Sequence, residues 1–155
     1  MTDVAAETPQ TLTDEAILAR FLGAKRPPPG SQLLGFRMLR VSQADREVEV
    51  AFEASEQLTN PMKQIQGGYL CAMLDECMSV ACMVASGMTS VAPTVEMKTS
   101  FFRPALPGPI VGVGRVVRWG KTIAFTEGEL RDAEGRTLAR ATGTAMPTPF
   151  TRYKG

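Results

Sequence analysis

The sequence predicts an α+β fold in which an antiparallel sheet wraps one long buried helix. Three observations lead there. Tyr69 to Ser86 is almost wholly apolar or small, holds no Gly or Pro, and is closed by Gly87; a helix that is apolar nearly all round is a buried one, and glycine is the usual residue just past a helix end. Strand-like runs flank this segment on both sides, two before it and four after. The runs are joined by short stretches rich in Gly, Pro and Asp, and strands joined so closely must be antiparallel. One twisted sheet around one apolar rod buries both.

With 155 residues, 44% hydrophobic and 21% charged, the chain suits a single core. Residues 1–10 are polar and small and are expected to be disordered. Thr13 reads as an N-cap, with Asp14 and Glu15 in the first turn and Ala16, Ile17, Leu18, Phe21 and Leu22 as an apolar stripe ending at Gly23. Lys25 to Gly30, with three consecutive prolines, is a stiff connector. Residues 1–30 thus form an N-terminal segment, 31–148 the domain, and 149–155 a C-terminal tail. Inside the domain, Leu33 to Leu39 and Val48 to Phe52 read as a hairpin turning at Gln43 to Arg46, with Glu47, Glu49 and Glu53 on its wet face. A loop from Glu53 to Gln66 leads into the helix. Four strands follow: Val91 to Phe102, Ile110 to Trp119, Ile123 to Arg131 and Thr137 to Ala145. Their imperfect alternation leaves room for another subunit on the outer face.

Composition also excludes function classes. A net charge of +1, with acidic and basic residues interspersed, offers no footprint for nucleic acid or an anionic membrane. No basic and apolar leader opens the chain, and three cysteines on one helix, Cys71, Cys77 and Cys82, cannot form a disulfide framework. A cytoplasmic setting is the expectation. Histidine is absent, which removes the Ser-His-Asp triad, the Cys-His dyad and imidazole-based metal sites. Acid–base chemistry falls to carboxylates.

The candidate residues gather around the long helix. A carboxylate inside a buried rod needs a reason, and Asp75 heads a stripe of small or polar residues, Ser79, Cys82 and Ser86. Glu76 points about 100° away and is a second candidate. Gly67 and Gly68 either permit close packing or expose the free N–H groups of a helix start to an oxyanion. Asn60-Pro61 is a turn pair with a side-chain amide, and Gln66 can donate a hydrogen bond but carries no charge. Asp75 lies eight residues after Gly67, about 12 Å along a helix. If both act on one substrate, two subunits must share the site, as an isologous dimer permits.

Asn60-Pro61, Gln66-Gly67-Gly68, Leu74-Asp75, Ser100 to Ala105, Gly120-Lys121 and Asp132 to Gly135, in that order and spacing, resemble the hotdog-fold thioesterases. The resemblance is to the phenylacetate-degradation (PaaI-like) branch of the 4-hydroxybenzoyl-CoA thioesterase superfamily, and it covers roughly Leu34 to Met146. It implies hydrolysis of acyl-CoA thioesters with no metal or organic cofactor, by a homodimer or a homotetramer built as a dimer of dimers. It implies that Asp75 activates water or attacks the carbonyl, that the Gly67 N–H binds the oxyanion, and that Asn60 orients the water or carboxylate. Gly68, Arg103, Gly120, Lys121 and Thr122 would contact substrate, with Arg103, Lys121 and Thr122 around the CoA phosphates and pantetheine. The family pattern has His where this chain has Gln66, whose role would be polarising only. The alternative reading is a non-catalytic acyl-CoA binding or sensing module on the same fold.

Overall fold

A computed structural model describes residues 12–153. The expected disorder of residues 1–10 lies outside the described residues, as do the last two of the tail. The first helix, α1 (Asp14–Leu22), is capped by the Thr13 hydroxyl, which accepts from the Ala16 N–H at 3.2 Å. It buries Ile17 completely. Its Asp14 carboxylate accepts from the backbone and side-chain amides of Gln43, tying the helix to the first hairpin.

The connector differs from expectation. Pro29 opens a five-residue helix, α2 (Pro29–Leu33), because proline at the first helical position has its φ already set and lacks only an N–H that would be unpaired there. Leu33, expected in a strand, therefore belongs to a helix. The first strand, β1 (Arg37–Ser42), starts four residues later and turns at Gln43 to Arg46 into β2 (Glu47–Ala54). After a short 3-10 turn (Glu56–Leu58) comes the central helix, α3 (Gly67–Ala85).

The run expected as one strand from Val91 to Phe102 is broken at Ala92-Pro93 into β3 (Ser90–Val91) and β4 (Thr94–Phe101). Proline cannot donate to a ladder, and the chain changes sheets there. Then follow β5 (Gly108–Trp119), β6 (Ala124–Arg131), β7 (Thr137–Ala145) and β8 (Thr148–Pro149), closed by a 3-10 turn (Phe150–Tyr153). The main sheet has the order β1-β2-β5-β6-β7-β4 with every neighbouring pair antiparallel, and β3 pairs with β8 in a small ribbon.

Helix α3 lies directly on the sheet backbone. A Cβ on Gly114 would stand 2.1 Å from the Cys77 carbonyl oxygen, and one on Gly112 would stand 2.5 Å from the Cys77 sulfur, so only glycine fits under this crossing. The helix is less enclosed than its composition suggests. Met73, Leu74, Cys77, Met78 and Ala81 face the core, whereas Gly68, Ala72, Asp75, Ser79 and Met83 are exposed or half-buried. Cys82, expected on the open stripe, is fully buried, since β3 packs against α3 at that end. Burial pushes the thiols of Cys77 and Cys82 far up, Cys82 to about 12. They are core side chains, and Cys71 is half-buried.

Candidate active site

The loop before α3 is fixed by its own backbone. The Gln66 N–H donates to the Leu58 carbonyl at 2.9 Å and the Ile65 N–H to the Ala105 carbonyl at 2.8 Å. Asn60 Oδ1 accepts from the N–H groups of Met62 and Gln64 at 2.9 and 3.2 Å. That oxygen is therefore committed to the turn, and the Asn60 amino group is the end left to donate. The N–H groups of Tyr69 and Leu70 both reach the Gln66 carbonyl, but the Gln66 side chain caps nothing. Among the described residues, the N–H groups of Gly67 and Gly68 have no hydrogen-bond partner. Two unpaired donors at the positive end of a 19-residue helix make a natural seat for a developing oxyanion.

Two turns further along α3, half-buried Asp75 accepts a 2.5 Å hydrogen bond from the Thr94 hydroxyl. Glu76 accepts from Ser31 Oγ at 2.7 Å, and Ser31 is itself buried on α2. The second candidate carboxylate is thus spent on a structural contact, which leaves Asp75 as the candidate base. Thr94, which the sequence did not disclose, is the residue that holds this candidate carboxylate. Its only local signal is Pro93, which ends one strand and makes Thr94 the first residue of the next.

The expected site residues fall into two groups at opposite ends of β4. Gly67 packs near the Phe101 ring at the end of that strand. Arg103 follows two residues later, exposed and donating to the Thr137 carbonyl at 2.8 Å. Asn60, Gln66, Gly67, Gly68 and Arg103 belong together. Asp75 lies at the other end, with Thr94 in a row through Ala145 and Ala124 to Trp119. That row leads to the β5–β6 hairpin, where the Gly120 N–H donates to the Ile123 carbonyl and Lys121 and Thr122 are exposed. Within one chain the two groups do not converge.

A cleft of roughly 340 Å³ opens beside Gly67, lined by Gln64, Ile65, Leu70, Phe101 and the segment 102–105. A larger hollow of roughly 530 Å³ lies on the outer sheet face. Its carboxylates are already paired with arginines, Glu47 with Arg40 among them. Arg115 meets Glu127 at 2.9 Å, and Glu129 meets Arg131 and Arg140 at 3.1 and 3.3 Å. It offers neither a free base nor free helix amides, so the smaller cleft is the candidate site.

An antiparallel sheet around one helix, with free amides at the helix start and a carboxylate two turns on, defines a hotdog-type hydrolase. Comparison with known proteins agrees. Residues 64–139 match the model of the thioesterase superfamily. A candidate thioesterase from Ralstonia eutropha, described as phenylacetic acid degradation-related, is 31% identical, covers 83% of this chain and 98% of its own, and superposes with a TM-score of 0.76. A conserved Pseudomonas aeruginosa protein is 25% identical over 79% of this chain and 95% of its own, with a TM-score of 0.72. A candidate esterase of Saccharolobus solfataricus is 28% identical over 73% of this chain and 79% of its own. The chain belongs to the thioesterase superfamily, and its resemblance to the PaaI-like branch holds.

Proposed function

We propose that the protein hydrolyses acyl-CoA thioesters to the free acid and CoA, in a site shared by two subunits and driven by Asp75. Membership of the thioesterase superfamily supports thioester hydrolysis in general. The CoA moiety is our finer reading. It is supported by the exposed cations Arg103 and Lys121 flanking the two half-sites. A Streptococcus mutans protein of the same fold, 21% identical, was solved bound to acetyl CoA.

One observation carries the shared site, the free edge of β4. This strand is bonded to β7 on one side only, so its other row of N–H and C=O groups is unpaired, an arrangement proteins rarely leave open. Its side chains are largely exposed, Val95 to 62%. Full-length antiparallel pairing of residues 94–101 with a second copy sets Thr94 opposite Phe101 of the partner subunit. Asp75, held by Thr94, then comes beside Gly67 of the partner subunit, and the two half-sites become one. Such a dimer is isologous and yields two equal sites. A tetramer would be two such dimers, and three free cysteines suit a reducing, cytoplasmic setting.

In that site the Gly67 N–H, backed by Gly68, receives the thioester carbonyl oxygen. Asp75 takes a proton from water as the water oxygen attacks the carbonyl carbon. The tetrahedral oxyanion, stabilised at the helix start, collapses with cleavage of the C–S bond, and the CoA sulfur leaves with the proton that Asp75 took, which restores the carboxylate. Thr94 holds Asp75 in place, and the amides of Asn60 and Gln66 donate to water or carbonyl. No histidine takes part.

Gln66, at the position where the family pattern has His, favours a second reading, a non-catalytic acyl-CoA binding module. Free-thiol release from a panel of acyl-CoAs, run with Asp75→Asn beside wild type, separates the two. Release that the variant abolishes supports the enzyme. Tight binding without release by wild type supports the module.

A further inference from the structure

We infer that the Phe101 ring decides which acyl groups the site accepts, admitting those unbranched beside the carbonyl and rejecting those with a branch there. This rests on the thioesterase reading above. The ring tip of Phe101 lies 3.2 Å from the point that a Cβ would occupy on Gly67. A methyl-sized group at that point would press on the ring, inside ordinary van der Waals contact. Backbone N and Cβ of one residue are about 2.5 Å apart, so the ring tip is within about 6 Å of the Gly67 nitrogen. A carbonyl oxygen using that N–H sits about 3 Å from the same nitrogen. The carbon next to the carbonyl is therefore within reach of the ring.

The acyl group has no other way past the helix along β5. With the Cys77 carbonyl 2.1 Å and its sulfur 2.5 Å from the notional Cβ atoms of Gly114 and Gly112, α3 and β5 touch without a channel between them. The space beside Gly67 is bounded instead by buried Leu70 and Ile65 and by Phe101, whose ring lines the same cleft. A flat or linear acyl group can lie along the ring. A branch at the adjacent carbon meets its edge.

Butyryl-CoA and isobutyryl-CoA have the same atoms and differ only in the branch, which makes them the test pair. Wild type should favour the straight isomer in kcat/KM by about tenfold or more, the scale at which an apolar pocket reads one misplaced methyl. Phe101→Ala should bring the ratio to within about twofold by raising the rate on the branched isomer, and Phe101→Leu should fall between. Size-exclusion chromatography checks that both variants assemble as wild type does, and Phe101→Leu carries the comparison if the alanine variant does not fold. Equal wild-type rates on the two isomers would overturn the role of Phe101. So would a ratio unmoved in the variants while Asp75→Asn abolishes turnover, and either result leaves the thioesterase reading standing. No thiol release by wild type from either isomer, while other acyl-CoAs of the panel are hydrolysed, would overturn the role of Phe101 alone, and none from any member of the panel would overturn both.

Discussion

The Thr94 hydroxyl donates a 2.5 Å hydrogen bond to Asp75 Oδ1, so the carboxylate left for chemistry is held by the first residue of the strand whose last residue packs on Gly67. One strand thus indexes both halves of the site. Removing the base should lower kcat/KM by on the order of 10² in Asp75→Asn, the usual scale for a positioned general base. Thr94→Ala should act on kcat more than KM, by on the order of 10-fold, with Thr94→Ser restoring most of the rate. A full rate in Asp75→Asn would end this assignment, because Glu76 is already bound to Ser31.

For the CoA moiety, Arg103→Ala and Lys121→Ala should each raise KM for an acyl-CoA. The same acyl group on a short thiol lacking the nucleotide should be affected much less, because a cation that meets phosphate has nothing to meet there. Steady-state kinetics on the two substrates decide it. Equal effects on both would remove these residues from phosphate binding.

Hydrogen bonds from Arg131 first, then Thr137 and Arg140, hold the Glu129 carboxyl down at about 2, from an ordinary 4.5. A depressed carboxylate stabilises the fold above its unfolded pKa and loses that contribution as pH falls through the folded one. Glu129→Gln should therefore melt below wild type near neutral pH, by about 1 kcal/mol for a pair network at the surface. The gap should close as pH falls from about 4.5 to about 2. A gap that stays constant with pH would assign the effect to packing instead.

Gly114→Ala asks whether α3 rests on the backbone of β5. A Cβ there would overlap the Cys77 carbonyl, so the substitution should cost about 3 kcal/mol, at the upper end of overpacking effects. Gly30→Ala, whose Cβ meets nothing within 4 Å, is the control and should be near neutral. Denaturant unfolding of the two gives the comparison, and equal midpoints would contradict the contact.

Much of the fold was legible because α3 and the sheet declare themselves locally. The apolar run from Tyr69, the absence of Gly and Pro within it and the alternation of Val48, Val50 and Phe52 are single-segment signals. What failed depended on position in space. Leu33 looked like a strand start because Pro29 was read as a breaker, where at the first position it begins a helix. Pro93 lay inside an apparent strand and instead divides it. The stripe through Cys82 followed helix periodicity correctly, but β3 covers that end, which no local pattern reveals. Asp75 and Gly67 stand out as candidates in the sequence alone, one as a carboxylate in an apolar rod and the other as a glycine at its start. Their separation was found too, since 1.5 Å per residue suffices to compute it. Thr94 was not, because its contact with Asp75 spans 19 residues and exists only once β4 lies beside α3.

The most direct test of the shared site is complementation between two dead subunits. Gly67→Pro removes the N–H that would hold the oxyanion and sets a Cβ 3.2 Å from the Phe101 ring tip, so the ring must give by a few tenths of an ångström. Proline is at home at the first helical position, and Gln66 before it already has the extended backbone, φ −63 and ψ 139, that a following proline requires. Asp75→Asn removes the base. Co-expressed with different tags and purified through both, the hybrid dimer carries one site with both wild-type groups and one with neither. The account predicts that each variant alone falls by on the order of 10² or more, and that the purified hybrid regains about half the activity of a wild-type dimer. A hybrid that is shown to form and remains inactive, or a wild-type monomer that turns over thioester, would contradict it.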